Sequence, residues 1–394
     1  RIDYGADEGE GLFNSAGYSD SALRDWLFPR IERNDQSREY LSYTNLSDQT
    51  ATITVDFLTT SGTVTVTRTL EAYRRGGLEV FNLGLANGNM SARVRSTQNI
   101  VAFLSDWDLP SAGQPLTSYT PGFGVMGQPG GGSTSGALAD AVIQNGFTNT
   151  LSIYNPGSTV ATVSLRFWRT GRLPSENPIV STRIVFAGGR EDFAMVAADL
   201  GIPVGEQFAI SYTSGSAAIG VQWTSVDNTG RGQAQTSGRK DGISTLLTTN
   251  IAPVVHFTDG NFDVARTDGS MIERISIFNP FADSGTTFSY TVRYAFSDGS
   301  TIDAFTGSLT TNGRVDLNTS ASNSVRAKIA ASTAFRHYTI SVTGTGTRGS
   351  STFTTAGVVQ FTRLDATLGR SITSTGSASG FGLPWNDATF QPGG

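Results

Sequence analysis

Three stretches of the sequence resemble one another and decide the fold: Tyr40-Leu-Ser-Tyr-Thr-Asn45, Thr150-Leu-Ser-Ile-Tyr-Asn155 and Arg274-Ile-Ser-Ile-Phe-Asn279. In each, apolar and polar residues alternate up to an Asn, and turn-forming residues follow. Alternation with a period of two residues that ends at a turn predicts a β-strand and its reversal. The Asn residues lie 110 and then 124 positions apart. A period of this size indicates repeated whole domains rather than a solenoid of short units.

Further alternating segments follow each motif in the same order. Two more strands come after the first turn, and a closing strand that ends in Asp comes later: 51–58, 62–70 and 100–108; 161–168, 180–186 and 217–227; 287–296, 300–309 and 356–365. Seven or so short strands in about 110 residues is the size of an immunoglobulin-like β-sandwich. The best helical pattern covers only 195–200.

The sequence therefore predicts an all-β protein with three tandem immunoglobulin-like β-sandwich domains and N- and C-terminal arms. Gly127-Gln-Pro-Gly-Gly-Gly-Ser133 has the composition of a linker between the first two domains. The predicted boundaries are 1–23 for the N-terminal arm, 24–124 for β-sandwich 1, 125–136 for the Gly-rich linker, 137–250 for β-sandwich 2, 251–375 for β-sandwich 3 and 376–394 for the C-terminal tail strand.

Composition excludes several classes of function. The chain has no Cys and only two His, His256 and His337, which excludes disulfides and thiolate chemistry and makes Cys- or His-based metal sites improbable. A net charge of −5 opposes general nucleic-acid binding, because that binding depends on Lys and Arg. No stretch approaches the roughly 20 apolar residues of a membrane-spanning helix. We therefore expect no cofactor, no metal, no nucleic-acid partner and no transmembrane segment.

The motif Leu-Ser-Ile-Tyr-Asn-Pro at 151–156, followed by alternating Val and Thr residues, carries a resemblance to a known group of proteins. It resembles the tandem β-sandwich repeats of secreted bacterial surface proteins, which include S-layer-like and fibre-forming chains. The resemblance covers roughly 23–370 and rests on this short motif. It implies an extracellular structural or adhesive role, and it transfers no catalytic residue.

The tail contains a candidate assembly strand. Phe381-Gly-Leu-Pro-Trp385 is similar to the opening strand of another repeat, yet only ten residues follow Pro384. A lone strand of this kind exposes backbone groups and apolar surface unless another strand covers it. Three outcomes are open: pairing within the chain, completion of a neighbouring subunit, or truncation of a longer protein. The assembly hypothesis assigns strand addition to Phe381, Leu383, Pro384 and Trp385 and considers the N-terminal arm as a second contact.

Two aromatic residues support an alternative function. Trp26 and Tyr119 are candidates for stacking on sugar rings, whereas Trp168 and Trp223 interrupt alternating runs as core residues do. In this alternative the protein is a carbohydrate-binding adhesin or another cell-surface binding module, and glycans are its partners.

Three other motifs are weaker candidates for chemistry. Asp106 and Asp108 lie two residues apart on a predicted strand, about 6.5–7 Å from each other on one face, which is within reach of a glycosidase carboxylate pair. This pair does not recur in the other repeats. Asp259-Gly-Asn-Phe-Asp263 alternates oxygen ligands but lacks the later Gly and Glu of a calcium loop. Gly122-Phe-Gly-Val-Met-Gly127 matches Gly-x-Gly-x-x-Gly without a helical pattern after it.

These observations together favour a structural protein rather than an enzyme. Charged residues are 15% of the chain, so the surfaces of its sheets repel one another weakly. We predict an extracellular or cell-surface protein that assembles with copies of itself into a filament or layer, by strand addition through its terminal arms.

Overall fold

We analysed a computed structural model of the chain. It describes residues 23–35, 37–108, 122–172, 178–227, 241–247, 250–260, 262–265, 271–281, 286–331, 338–365, 370–374, 377–379 and 383–384. Regular structure in these ranges is almost entirely antiparallel β-strand, in several sheets of which none closes on itself. The predicted all-β class is confirmed at this level.

The first strand set has seven strands, and a short connecting strand, β8, follows it. They are β1 (Leu23–Arg33), β2 (Ser37–Asn45), β3 (Ala51–Thr59), β4 (Gly62–Leu70), β5 (Arg75–Glu79), β6 (Gly88–Asp108), β7 (Gly122–Met126) and β8 (Gln128–Pro129), with a 3₁₀ turn at Val80–Asn82. The 21-residue β6 belongs to two sheets, because its first half pairs with β1 and β3 and its second half with β2 and β7.

The second strand set has eight strands and is followed by the short β17. They are β9 (Ser135–Val142), β10 (Phe147–Tyr154), β11 (Ala161–Arg169), β12 (Ile179–Val185), β13 (Arg190–Ala194), β14 (Gln207–Thr213), β15 (Gly220–Asp227), β16 (Asp241–Leu246) and β17 (Asn250–Ile251). The short helix α1 (Ala197–Leu200) lies within the predicted helical stretch.

The third strand set has nine strands and is followed by two short tail strands. They are β18 (Val254–Gly260), β19 (Met271–Phe278), β20 (Thr286–Phe296), β21 (Thr301–Leu309), β22 (Arg314–Asn318), β23 (Tyr338–Arg348), β24 (Ser351–Thr354), β25 (Val358–Asp365), β26 (Arg370–Ser374), β27 (Ser377–Ser379) and β28 (Leu383–Pro384). The eight-residue α2 (Asn323–Ala330), next to a 3₁₀ turn at Thr319–Ala321, was not expected; the Ser322 hydroxyl accepts from the Val325 N–H and caps it. No helix in the described ranges is both long and apolar enough to cross a membrane.

All three sets pair their strands in one order. When eight positions are numbered along the chain, one sheet has the order 4-3-6-1 and the other 5-2-7-8. In the first set β6 supplies both positions 6 and 7, and in the third set β24 is an additional strand beside β23. The predicted recurrence of strands along the chain therefore extends to their pairing.

This order corrects the expected immunoglobulin-like arrangement. An immunoglobulin constant domain has the sheet orders 1-2-5-4 and 3-6-7, in which the first strand pairs with the second. Here the first strand pairs with the sixth, as β1 does with β6. The number and length of strands were informative, but alternation along a strand carries no information about a partner some 70 residues away.

Each set has an apolar cluster to which both of its sheets contribute. The first cluster is built around Phe28 and Phe57, the second around Phe167 and Phe208, and the third around Phe288 and Tyr294, all of them buried. Trp223 is buried in the second cluster, as its position in an alternating run predicts. Burial of these side chains supplies the main favourable term in folding.

The recurring Asn of the fold-deciding motif is a buried structural residue in all three sets. The Asn155 amide donates to the carbonyl oxygens of Thr159 (2.7 Å), Val185 (3.1 Å) and Phe186 (3.2 Å), and its Oδ1 accepts from the Gly157 N–H (3.0 Å). Asn45 and Asn279 make the corresponding contacts. Each Asn thus joins the turn after position 2 to the end of the strand at position 4. Only a short side chain with both a donor and an acceptor can do this.

We expect Asn155→Ala to lower the free energy of unfolding by about 2–4 kcal/mol, since several buried backbone groups would lose their partner. Urea denaturation followed by Trp fluorescence measures the change. Thr162→Ala, at an exposed position on the neighbouring β11, is the matched control and should change stability by under about 0.5 kcal/mol. Equal effects of the two substitutions would contradict the assigned role.

Candidate functional site

The strands at position 2 show where the sets contact one another. In β2 burial alternates, and outward-facing Tyr40 is 36% exposed. In β10 and β19 the outward-facing residues are buried as well, including Ser152 and Ser276, which are both 0% exposed. The outer faces of these two strands are therefore covered, each by the strand set that precedes it in the chain.

Each position-1 strand contains a β-bulge, and the bulges of β1 and β9 lie at the contact with the following set. Two residues on the bulged strand face one on its partner, at Pro29–Arg30 in β1, at 139–140 in β9 and at 258–259 in β18. The extra residue of a bulge leaves backbone groups without a partner in the ladder. Buried backbone groups of this kind need a hydrogen bond from elsewhere.

A glutamine on the following set supplies that bond at both junctions. Gln222 Oε1 accepts from the Arg30 N–H (3.2 Å), and Gln222 Nε2 lies 3.5 Å from the Arg30 carbonyl oxygen. Gln360 accepts from the Asp140 N–H (3.1 Å) and donates to the Asp140 carbonyl oxygen (3.0 Å). A carboxamide presents a donor and an acceptor side by side, as a neighbouring strand would. We call this contact the glutamine clamp.

An Arg–Asp–Ser cluster stands beside each clamp. On β13, Arg190 pairs with Asp192 (2.5 Å), which also accepts from the Ser152 hydroxyl (2.6 Å). Across the first junction, Arg190 donates to the Asn89 carbonyl oxygen (3.2 Å) and Asn89 donates to Asp192 (2.8 Å). Burial alone would raise the pKa of Asp192, but Arg190 and these hydrogen bonds hold it below its ordinary value.

The same cluster recurs at the second junction. Arg314 and Ser276 both bond to Asp316 Oδ1, each at 2.6 Å, and Arg314 Nε donates to the Ala139 carbonyl oxygen (2.6 Å) in the preceding set. The repetition of glutamine, arginine, aspartate and serine at both junctions makes the contact a property of the repeated unit.

Asp140 adds a buried ionic centre to the second junction. Its carboxylate, on a side chain 3% exposed, accepts from Arg274 (2.5 Å), Arg314 (3.1 Å) and the Thr362 hydroxyl (2.9 Å). Burial acts to raise the pKa of Asp140, but the charges of Arg274 and Arg314, helped by hydrogen bonds from Arg274 and Thr362, hold it below its ordinary value. Asp140 is therefore ionised at neutral pH and binds the two sets together.

The two junctions differ in what fills the space around this polar frame. At the second, an apolar cluster draws residues from both sets, including Ala137, Phe278 and Phe353, and Trp168 packs against Phe278 with ring centroids 6.2 Å apart. At the first, Gly220 allows close approach: a Cβ there would lie 2.9 Å from Cγ of Pro29.

The described part of the predicted assembly strand pairs within its own chain. Leu383 and Pro384 form β28, which pairs with β17, and β27 pairs with β18 beside it. Of the three outcomes left open by the sequence, the backbone here follows the first. Phe381 and Trp385 lie outside the described residues, as does most of the predicted N-terminal arm, 1–22.

Trp26 requires a correction as a candidate sugar platform. It is 0% exposed, and its indole N–H lies 3.1 Å from the carbonyl oxygens of both Leu23 and Ile100. It lies on β1 in a run of six buried residues. Because both faces of the strand are covered there, alternation in the sequence does not predict that Trp26 is buried. Tyr119 lies outside the described residues.

The structure shows the surroundings of the three weaker chemical candidates. Asp106 is buried on β6 opposite the buried Glu39, whose pKa is raised by desolvation despite a bond from Ser37. Asp263 Oδ1 accepts from the Ala265 N–H (2.9 Å), as in an Asx-turn. In the described ranges no group of three or more His, Asp or Glu side chains could hold a metal ion. Gly122–Met126 forms strand β7 rather than the entry to a helix.

Comparisons with known proteins do not assign a family. No protein-family model matches the chain, and no curated protein matches it. Among solved structures, the crystal structure of Thermotoga maritima 1070 is similar at 23% identity and a TM-score of 0.25, covering 28% of this chain and 96% of that one. The Anabaena sensory rhodopsin transducer is similar at 25% identity and a TM-score of 0.20, covering 23% of this chain and 82% of that one.

The residues of the junctions were not among those predicted from the sequence. Gln222 and Gln360 each precede the aromatic residue of a closing strand, in Val-Gln-Trp and Val-Gln-Phe, and this shared position was an available signal. Arg190-x-Asp192 and Arg314-x-Asp316 were a second one. A polar residue in an alternating strand looks solvent-exposed when the covering surface belongs to another repeat.

We expect Asp140→Asn to lower the stability of the protein by about 3–5 kcal/mol at pH 7, because the buried guanidinium groups of Arg274 and Arg314 lose one counter-charge and keep only Asp316. The folded-state pKa of Asp140 lies below the ordinary 3.8. The stabilisation is therefore complete above that ordinary value and is lost as the pH falls through the folded-state pKa. Urea denaturation at a series of pH values should show the difference between the two proteins shrinking below about pH 4.

The matched control is Asp303→Asn, which removes an exposed ion pair with Arg293. It should cost under about 1 kcal/mol at every pH. A pH-independent effect of Asp140→Asn would contradict an ionised Asp140.

Proposed function

We propose that the chain is a structural protein made of three tandem β-sandwich units, joined as a stiff building block that assembles with copies of itself at the cell surface. The observation that carries the proposal is the repeated junction. Both junctions use a glutamine clamp on a bulge and an Arg–Asp–Ser cluster beside it. An enzyme or a single binding site needs no such repetition.

The connections between the units support stiffness. Residues of the predicted Gly-rich linker are held in place, since β8 pairs with β1 and Ser133 forms a bridge with Ile219. Before the third set, Ile251 is buried in the apolar cluster of the second junction, and the Ala252 carbonyl oxygen accepts from the Ala356 N–H at 2.7 Å. Domains on flexible linkers move by default, whereas extensive buried contacts restrict them.

The proposed extracellular location rests on the resemblance of the strand motif. The composition, with few charged residues and many Thr, Ser and Gly residues, suits short strands joined by turns and sheet surfaces that repel one another weakly. The strand motif resembles repeats of bacterial surface proteins. Strand addition remains the proposed mode of assembly. Because β27 and β28 pair within the chain, we propose that strand addition occurs at other sheet edges.

The stiffness is tested with Gln222→Ala and Gln360→Ala combined in one chain. We expect small-angle scattering to show a larger radius of gyration and greater flexibility than wild type, because each bulge loses the partner of its backbone groups. Gln49→Ala, at an exposed turn position, is the control and should leave the scattering curve unchanged. Identical curves for all three proteins would contradict a role of the glutamine clamps in stiffening the building block, and a wild-type curve typical of mobile units would contradict the stiff building block itself.

Self-assembly is tested on the wild-type chain by sedimentation velocity over a concentration series, with electron microscopy of the same samples. The proposal expects larger species to accumulate with concentration. A chain that remains monomeric up to millimolar concentration would contradict assembly as its function.

A further inference from the structure

The outer edge strand of the second set has an unusual surface. β12 ends the sheet β12-β11-β14-β9, and β11 is its partner in the described part of the chain. Its outward-facing residues are Val180, Thr182 and Ile184, and the two apolar ones are 56% and 58% exposed. Phe186, the next residue on the same side, is 71% exposed. Edge strands of soluble proteins normally carry charges or bulges that prevent pairing with another chain.

The sequence of β12 is complementary to itself. Ile179-Val-Ser-Thr-Arg-Ile-Val185 has β-branched residues at both ends and Thr182 at its centre. When two copies pair antiparallel about Thr182, Val180 faces Ile184, Thr182 faces Thr182 and Ser181 faces Arg183. Cross-strand pairs of β-branched residues and of Thr with Thr are favourable.

Charge does not oppose this pairing. Arg183 is the charged residue of β12, and it is held against its own unit, with its guanidinium 3.9 Å from the centre of the Phe193 ring and 3.9 Å from Glu191. In the paired arrangement each Arg183 faces a Ser rather than another Arg. The edge strands at the same position in the other sets differ, because β4 carries the exposed Arg68 and β21 carries the exposed Asp303.

We propose that β12 is a self-pairing edge, at which the second units of two copies join antiparallel about Thr182. The two four-stranded sheets then form one continuous eight-stranded sheet across a two-fold axis, and the same surface is used on both sides. Main-chain hydrogen bonds provide the affinity, and the Val180–Ile184 contacts fix the register. This inference rests on the proposed function, since it names the contact through which the building blocks associate.

The absence of Cys in the chain permits a direct test by disulfide formation. Directly opposed residues of an antiparallel pair have Cα atoms about 4.5–5.5 Å apart, a separation that a disulfide spans. We expect Thr182→Cys to form a covalent dimer under mild oxidation at least about tenfold faster than Thr67→Cys, because pairing raises the effective thiol concentration. Thr67→Cys places the thiol at an exposed position on the edge strand β4 and is the matched control.

Two further variants test the register and the apolar contact. A mixture of Val180→Cys and Ile184→Cys chains should cross-link faster than either chain alone, because these residues face each other across the axis. Adding Ile184→Lys to Thr182→Cys should reduce the rate to that of the β4 control, whereas adding Val64→Lys on β4 should leave it unchanged. Both lysines are at exposed positions, so loss of folding does not explain the difference.

The outcomes separate this contact from the proposed function. If the wild-type chain assembles but Thr182→Cys and Thr67→Cys cross-link at equal rates, the β12 contact is overturned and the structural role stands. If Thr182→Cys cross-links selectively but the wild-type chain stops at dimers, the contact is supported and the filament or layer is contradicted. If the wild-type chain is monomeric and the Cys variants show no selective cross-linking, both are overturned.

Discussion

The structure depends on how a β-bulge satisfies its backbone groups. A bulge leaves an N–H and a C=O pointing away from the ladder, and these groups cannot remain unpaired where another unit covers them. The Gln222 and Gln360 carboxamides take the place of a neighbouring strand for Arg30 and Asp140. The same docking geometry covers the outer faces of β10 and β19 and fixes the connections between the units. A side chain on one repeat thus completes the backbone pairing of the repeat before it.

The two junctions show that one polar frame accepts different surroundings. The first brings backbones close at Gly220, whereas the second adds an apolar cluster and the ionised Asp140. A buried ion pair is weak evidence for net stability, because desolvation opposes the attraction of the charges. Its geometric demands are strict, however. The Asp140 contacts with Arg274 and Arg314 therefore restrict the orientation of the third unit, and the large cost expected on removing Asp140 reflects the buried charges left behind rather than the net gain of the ion pair.

The sequence predicts those features whose determinants are local. Alternation and turn residues indicate most strands, and the spacing of Asn45, Asn155 and Asn279 indicates the repeat. Features that depend on a distant partner cannot be predicted in this way. The pairing of β1 with β6, the burial of Trp26 and the clamp of Gln222 all depend on residues some 70 to 190 positions away, and no period within a strand encodes them. The Asn markers were found correctly, but their role became clear only from the carbonyl groups around them.

The continuous strand β6 gives the first unit a direct connection between its two sheets that the other two lack. Positions 6 and 7 are separate strands in the second and third units, joined by residues 214–219 in the second and by a segment that contains β24 in the third. In the first, one backbone runs from the middle of one layer into the middle of the other. The relative placement of the two layers in the first unit is therefore fixed by a covalent backbone without an intervening turn, whereas in the other two units it depends on packing and on the connecting chain.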